Sequence, residues 1–267
     1  MKVTHIFSDM DATLLASDGT IPQANINTIK NLTIPFSLVS ARAPMEMDFA
    51  IDQLELDSLQ VGFNGGIIYR GNRHNREILY TQSIDTNAAT KIIFDIHNQF
   101  PEVSLSFYDE KAWYAEKNDR GTAFETAVTN LEPTIINFKE FLDDSIQVFK
   151  IMLIVFDEAE MQALVSYFDE YAPYSVVVQR SGKYHLEITH IDAIKSNGMN
   201  YILSKEDLTA EHTIAFGDGH NDIPMFKLVG HPVVMNNALD EVKDYGEFIT
   251  ESNDDAGIAA FINRLDA

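Results

Sequence analysis

The chain has 267 residues, 45% of them hydrophobic and 22% charged, with no cysteine and a formal charge of −22 at a pI near 4.5. Such a length can bury one large core or two smaller ones, and the composition is that of an ordinary globular protein. The acidity argues against nucleic acid or an anionic membrane as partner, the missing cysteines exclude disulfide and thiolate chemistry, and no apolar run is long enough to span a bilayer.

The start, Met1-Lys2-Val3-Thr4, enters a strand without a basic segment, an apolar stretch and a cleavage site, so a cytoplasmic protein is expected. The apolar run at 2–8 predicts a buried strand that ends in two carboxylates one residue apart, Asp9 and Asp11. A helix at 24–32 follows, with Pro22 at its start. A strand at 35–39, a helix at 44–53 and a strand at 60–63, ending in Asn64-Gly65-Gly66, complete the first stretch. This βαβαβ rhythm predicts a mostly parallel sheet covered by helices, with ligands at the carboxyl ends of its strands.

The rhythm then changes. Helices at 85–99, 120–131 and 158–171 and strands at 103–108, 112–115, 148–156 and 175–179 predict an α+β module with an antiparallel sheet. The βα alternation resumes with a helix at 194–204, a strand at 213–216, a helix at 221–228 and a strand at 232–234. The expected fold class is therefore α/β, a Rossmann-like parallel-sheet core of residues 1–78 plus 186–267 with residues 79–185 inserted as a large α+β cap. The strand at 213–216 runs into Gly217-Asp218-Gly219-His220-Asn221-Asp222. Two strands tipped with acids suggest a magnesium site suited to phosphoryl chemistry.

Four segments taken together resemble the haloacid dehalogenase superfamily, and within it the Cof-like phosphatases. Asp9-Met10-Asp11-Ala12-Thr13-Leu14-Leu15 is similar to the first motif, Asp-x-Asp-x-Thr. Leu38-Val39-Ser40-Ala41-Arg42 is similar to the second, Ala193-Ile194-Lys195 to the third, and the Gly217–Asp222 segment to the fourth, Gly-Asp-x-x-Asn-Asp. The tail segments Met235-Asn236-Asn237-Ala238 and 251–258 also resemble the Cof-like ending, and a cap between the second and third motifs fits the family. Three positions depart from the family's usual glycine: Ala12, Ala41 and Ser196. An alanine for glycine matters only where φ is positive or backbone must approach closely.

The resemblance implies roles. Asp9 would be the nucleophile that forms an aspartyl phosphate, and Asp11 the acid and base for the leaving group and water. Ser40 and Lys195 would stabilise the phosphoryl group electrostatically. Asp9, Asp218, Asp222 and the backbone carbonyl of Asp11 would serve magnesium, with Asp222 acting through a metal-bound water or Lys195. Arg42, Asn64, Gly65 and Asn221 are candidate substrate contacts in the core, and Arg180 and Tyr184, near Lys183 and His185, in the cap. The bland alternatives are turn-capping for Asp9, a solvated helix position for Lys195, and a polar turn for 180–185. A calcium loop at 218–222 lacks the alternate oxygen ligands and the distal Glu. No histidine pair has zinc-ligand spacing.

The expected activity is magnesium-dependent hydrolysis of a small phosphate ester: a sugar phosphate, a nucleotide or a phosphorylated cofactor. A phosphoryl transferase or phosphomutase on the same site, or a weakly catalytic metabolite-binding regulator, are the competing readings. A monomer or weak homodimer is expected.

Overall fold

A computed structural model describes residues 2–142 and 146–265. The chain forms two compact units. One contains Met1–Arg42, Met47–Thr81 and Ile194–Ala267; the other contains Ala43–Glu46 and Gln82–Ala193.

The chain opens with β1 (His5–Ser8), α1 (Gln23–Lys30), β2 (Phe36–Leu38), α2 (Pro44–Leu54) and β3 (Gln60–Gly62). Every residue of β1, β2 and β3 is buried. That is the signature of strands covered on both faces rather than on one. Pro22 caps α1, whose Ile26 and Ile29 turn inward from an otherwise polar helix. The chain continues through β4 (Ile67–Arg70) and β5 (Glu77–Thr81).

The inserted stretch runs α3 (Thr86–Gln99), β6 (Ser104–Tyr108), β7 (Trp113–Ala115), α4 (Arg120–Thr129), β8 (Thr134–Ile135), α5 (Phe138–Phe141), β9 (Lys150–Ile154), α6 (Glu158–Tyr171), β10 (Val176–Ser181) and β11 (His185–His190). Aspartates start its three long helices. Asp85 accepts from the Ala88 amide, Asp119 closes a capping box with Thr122, and Asp157 accepts from the Glu160 amide. Each satisfies amides that have no partner within the helix, and such a cap stabilises by about 1 kcal/mol. The return stretch holds α7 (Lys195–Lys205), β12 (Thr213–Gly217), α8 (Ile223–Phe226), β13 (His231–Val234), α9 (Asp240–Lys243), β14 (Phe248–Ile249) and α10 (Gly257–Leu265).

The first unit is built on a parallel sheet in the order β14-β13-β12-β1-β2. β1 therefore sits beside β12, brought from the far end of the sequence, with His5 opposite Thr213 and Ser8 opposite Phe216. The strand at 60–63 departs from expectation. It joins a separate antiparallel sheet, β3-β4-β5, and touches the parallel sheet through a single Val39–Val61 bridge. The cause is local: Phe63 and Asn64 both take positive φ, 49° and 55°, and turn the chain straight back into β4.

The second unit is a sheet in the order β10-β11-β9-β6-β7-β8, antiparallel except between β7 and β8. Alternation decides its faces. Leu105, Phe107, Ile151, Leu153, Leu186 and Ile188 enter one apolar core with Ile92 and Ile96 of α3 and Leu164 and Phe168 of α6. Each fully buried side chain of this kind contributes roughly 1.5–3 kcal/mol. Of the segment read as a polar turn, 180–185, only 182–184 lie outside the strands: Arg180 and Ser181 end β10, and His185 opens β11, which is paired on both sides. The second unit thus runs to Ala193, where the sequence reading placed the cap's end at 185. No described helix is long and apolar enough to cross a membrane.

Candidate active site

Three parallel strands deliver the acidic residues and Ser40 to one edge of the first unit's sheet. β1 ends in Asp9, whose amide bonds Phe216 O at 3.0 Å, tying the end of β1 to β12. Beyond Asp9 the backbone turns sharply, with Ala12 at a φ of 55°. Asn237 Nδ2 donates to Ala12 O at 2.8 Å and Asn253 Nδ2 donates to Leu15 O at 2.9 Å, so two amides from the tail clamp this loop. A further bond at 3.0 Å, from the Asn253 amide to Asn237 Oδ1, fixes the clamps to each other.

Lys195 opens α7 and is fully buried. Its Nζ donates to Asp9 Oδ1 and, at 2.7 Å, to Asp222 Oδ1. Asp222 is fully buried too, and its second oxygen accepts from the amides of Asp218 and Gly219, each at 2.9 Å. Asp222 so holds the turn that aims Asp218. Thr13 Oγ1 donates to Asp218 Oδ1 at 2.9 Å. Carboxylate oxygens of Asp9, Asp218 and Asp222 all lie within 4.8 Å of one another.

Three buried or half-buried carboxylates and one ammonium leave a surplus of negative charge. Burial raises the Asp9 carboxyl well above its ordinary range; Lys195 opposes this and Asp222 and Asp11 add to it. Burial likewise pushes Asp218 up to about 6, against the bond from Thr13 and with help from Asp222. Burial works against the charged form of Lys195, but Asp222 and Asp9 outweigh it and hold the ammonium charged. The donor set suits a hard divalent cation, which prefers carboxylate oxygen and would offset the surplus charge.

Asp11 stands apart from the trio. Its side chain is exposed, and Arg42 grips it with Nε at 2.9 Å and Nη2 at 2.6 Å. Ser40 is fully buried at the end of the neighbouring strand, its Oγ accepting from the Arg42 amide at 3.1 Å. The Ser40 carbonyl accepts from the Asn64 amide at 2.8 Å, which brings the 63–65 turn to this edge. Asn64 Oδ1 is buried without a hydrogen-bond partner. Gly65 has a φ of 107°, and a Cβ there would lie 2.5 Å from Ile194 O. Only glycine lets this turn pack against the start of α7 and so position Lys195. Asn221 is exposed in the turn before α8.

The two cap candidates belong to the second unit. Both guanidinium ends of Arg180 pair with Glu158 at 2.8 Å, and Nη2 also donates to Lys183 O at 2.9 Å. Tyr184 packs among aromatic rings, 5.1 Å from Phe156 and 5.8 Å from Phe124.

A profile of the haloacid dehalogenase-like hydrolases matches residues 6–262. The chain belongs to that family. A Haemophilus influenzae protein is 29% identical over 99% of this chain and 98% of its own length. The 5-amino-6-(5-phospho-D-ribitylamino)uracil phosphatase YwtE of Bacillus subtilis is 27% identical over 96% of both chains. A haloacid dehalogenase-like hydrolase from Bacteroides thetaiotaomicron superposes with a TM-score of 0.90 at 25% identity, covering 99% of this chain and 100% of that one.

Within this haloacid dehalogenase-like hydrolase, three positioning residues escaped the sequence reading: Thr13, Asn237 and Asn253. The signal was present, since Thr13 stands in the first motif and both asparagines in the tail segments. Of the three departures from the family's glycine, only Ala12 has a positive φ. Ala41 and Ser196 do not take positive φ.

Proposed function

We propose that the chain is a phosphatase that hydrolyses small phosphate esters through a phosphorylated Asp9. The observation that carries this reading is the buried Lys195 bridging Asp9 and Asp222, with Asp218 beside them. A buried carboxylate held by an ammonium is oriented for attack rather than solvated, and the ammonium neutralises the charge that gathers as two anions meet.

In the first step an oxygen of Asp9 forms a bond to phosphorus, the ester oxygen departs with the bonding pair, and Asp11 supplies its proton. In the second step Asp11 takes a proton from water, whose oxygen attacks phosphorus, releasing inorganic phosphate and restoring Asp9. The Ser40 hydroxyl and Lys195 stabilise the phosphoryl oxygens in both steps. Asn64, Gly65 and Asn221 contact substrate from the first unit, and Arg42 acts there by holding Asp11.

Asp9, Asp218 and Asp222, with the Asp11 carbonyl, would hold a divalent cation, which we assign as magnesium. When bound it supplies positive charge that offsets repulsion between the carboxylates and the phosphoryl group. The substrate class follows relatives such as YwtE, named for a phosphorylated ribityl compound: an ester of a small polyol, sugar or nucleoside.

The test is Asp9→Asn, an amide of nearly the same shape that cannot attack phosphorus. Wild-type protein with magnesium should release phosphate from a panel of esters, and rapid-quench labelling should trap one phosphoryl group on Asp9. The variant should keep its fold by circular dichroism and lose activity by a factor of at least about a hundred. Persistent turnover in the variant, or labelling elsewhere, would overturn the assignment.

A further inference from the structure

The turn between β3 and β4 takes positive φ at Phe63, Asn64 and Gly65 in succession, at 49°, 55° and 107°. For a bulky, fully buried side chain such as Phe63 that backbone is an outlier. Strain of this kind persists only where the surroundings impose it, and it collects at ligand sites. Here the surroundings are the residues assigned to the phosphoryl oxygens. The Phe63 amide donates to Arg42 O at 2.9 Å and the Asn64 amide to Ser40 O at 2.8 Å. On the other side Gly65 packs against Ile194, the residue before Lys195, so closely that a Cβ would stand 2.5 Å from the Ile194 carbonyl oxygen. Asn64 is thereby wedged between Ser40 and the start of α7.

The wedge holds an acceptor with nothing to accept. Asn64 is part-buried, yet its Oδ1 is out of solvent and has no hydrogen-bond partner among the described residues. Folded proteins seldom leave a buried acceptor unpaired, because its lost hydration is then uncompensated. Backbone conformation does not account for the amide: asparagine tolerates a left-handed backbone, but glycine does so better and would leave no orphan oxygen. The groups gathered at this edge do not supply the missing proton. The carboxylates of Asp9, Asp218 and Asp222 accept, as do the oxygens of a dianionic phosphate monoester. Lys195 is turned to Asp9 and Asp222. The donor that remains is a hydroxyl on the leaving group.

We propose that Asn64 Oδ1 selects esters bearing a hydroxyl beside the phosphate, on the carbon next to the ester carbon, by accepting that O–H in the bound complex. The proposal rests on the phosphatase reading above and narrows its substrate class to polyol and sugar phosphates, against simple alkyl or aryl phosphates. Reach sets the position of the hydroxyl. The asparagine side chain is short and its backbone is fixed to Ser40, so its oxygen meets the leaving group close to phosphorus and not at the far end. Such an acceptor discriminates strongly, since a substrate lacking the hydroxyl leaves it buried and unpaired.

The test is steady-state kinetics on the full-length protein with magnesium, using α-glycerol phosphate and n-propyl phosphate, which share a carbon chain and differ only in hydroxyls. Wild type should favour the glycerol ester in kcat/KM by at least about tenfold. Asn64→Gly keeps the left-handed backbone. It should lose at least about tenfold more kcat/KM on the glycerol ester than on the propyl ester. Asn64→Asp keeps the acceptor, so it should retain the preference while its added charge slows both esters. Equal kcat/KM for the two esters in wild type, or a preference that vanishes in Asn64→Asp, would overturn the proposal and leave the phosphatase reading standing. Equal losses in Asn64→Gly would do the same, assigning the amide to the phosphoryl group through its N–H. A wild-type protein that releases phosphate from no ester of a broad panel would overturn that reading, and this proposal with it.

Discussion

Arg42 holds both carboxylate oxygens of Asp11, at 2.9 and 2.6 Å. A planar fork of this kind fixes direction as well as charge, which a single ammonium would not. It fixes where the Asp11 carboxylate points, while the carboxylate oxygens of Asp9, Asp218 and Asp222 converge on one another. The consequence is that Arg42 and Asp11 act as one device.

Arg42→Ala should therefore lower kcat about tenfold, and Asp11→Asn by about a hundredfold or more, the usual scale for a lost acid–base group. The double variant should be no worse than Asp11→Asn alone, because the arginine then has nothing to orient. Steady-state kinetics on the four proteins checks this. Additive losses would mean that Arg42 serves the substrate independently of Asp11.

Lys195→Met should cost more stability than a surface lysine could. It strips the shared partner from two carboxylates that are at least nine-tenths buried, Asp9 and Asp222. Removing one side of a buried ion pair typically costs about 3–5 kcal/mol. Urea unfolding should show a clear fall in midpoint, and addition of magnesium should recover part of it if the trio binds the ion. A loss below about 1 kcal/mol would show that water already relieves the site.

Ala12→Gly should stabilise the protein. Ala12 sits at a φ of 55°, where a side chain is strained by about 1 kcal/mol. Glycine removes that strain but adds freedom to the unfolded chain, so the net gain is a few tenths to about 1 kcal/mol. Because Asn237 already fixes the Ala12 carbonyl, turnover should change little. Chemical denaturation paired with a phosphate-release assay separates the two effects.

His5 predicts an acid-sensitive stability. It is fully buried on β1, its Nε2 is 2.8 Å from Ser37 Oγ, and burial lowers its pKa from 6.5 to about 4. The folded protein thus binds this proton less readily than the unfolded chain. Stability contributed by neutral His5 is full above pH 6.5 and is lost as pH falls from there towards 4. The slope for one such group approaches about 1.4 kcal/mol per pH unit. His5→Gln should flatten the fall in urea midpoint between pH 6.5 and 4.5 relative to wild type, and parallel curves would assign the acid sensitivity to other groups.

The sequence exposed those features that depend on local pattern. Helix α6 at 158–171 was readable to the residue, because Asp157 caps it and Met161, Leu164 and Phe168 recur at helical spacing. Asp9 and Asp218 could be picked out because each follows a buried strand, where ligands gather, and Ser40 and Asp222 because they stand in segments that resemble the family's motifs. What pattern could not supply was pairing. The apolar runs of β3 and β1 look alike, yet one enters an antiparallel sheet because of two positive-φ residues after it. Nor does spacing say which carboxylates converge: Asp11 is two residues from Asp9 and turns to Arg42, while Lys195, 186 residues from Asp9, reaches it. His-Leu-Glu-Ile-Thr-His alternates as a strand should, yet only its first residue entered the sequence reading, as the end of a polar turn.

The placement of β1 has a consequence for the life of the chain as it is made. β1 lies between β2 and β12, and Thr4 at its foot bonds His212, a partner 208 residues away. The ribosome delivers β1 first and β12 only after the entire inserted unit, whose last residue is Ala193. The inserted unit closes its own sheet from residues 104–190 and can fold while the nascent chain still lacks β12. Until then β1 and β2 are apolar strands without their main neighbour, the kind of segment that aggregates or recruits a chaperone. Contacts of such sequence separation also make folding slow. Synthesis rate and chaperone supply should consequently govern the yield of this protein more than the stability of the finished fold does.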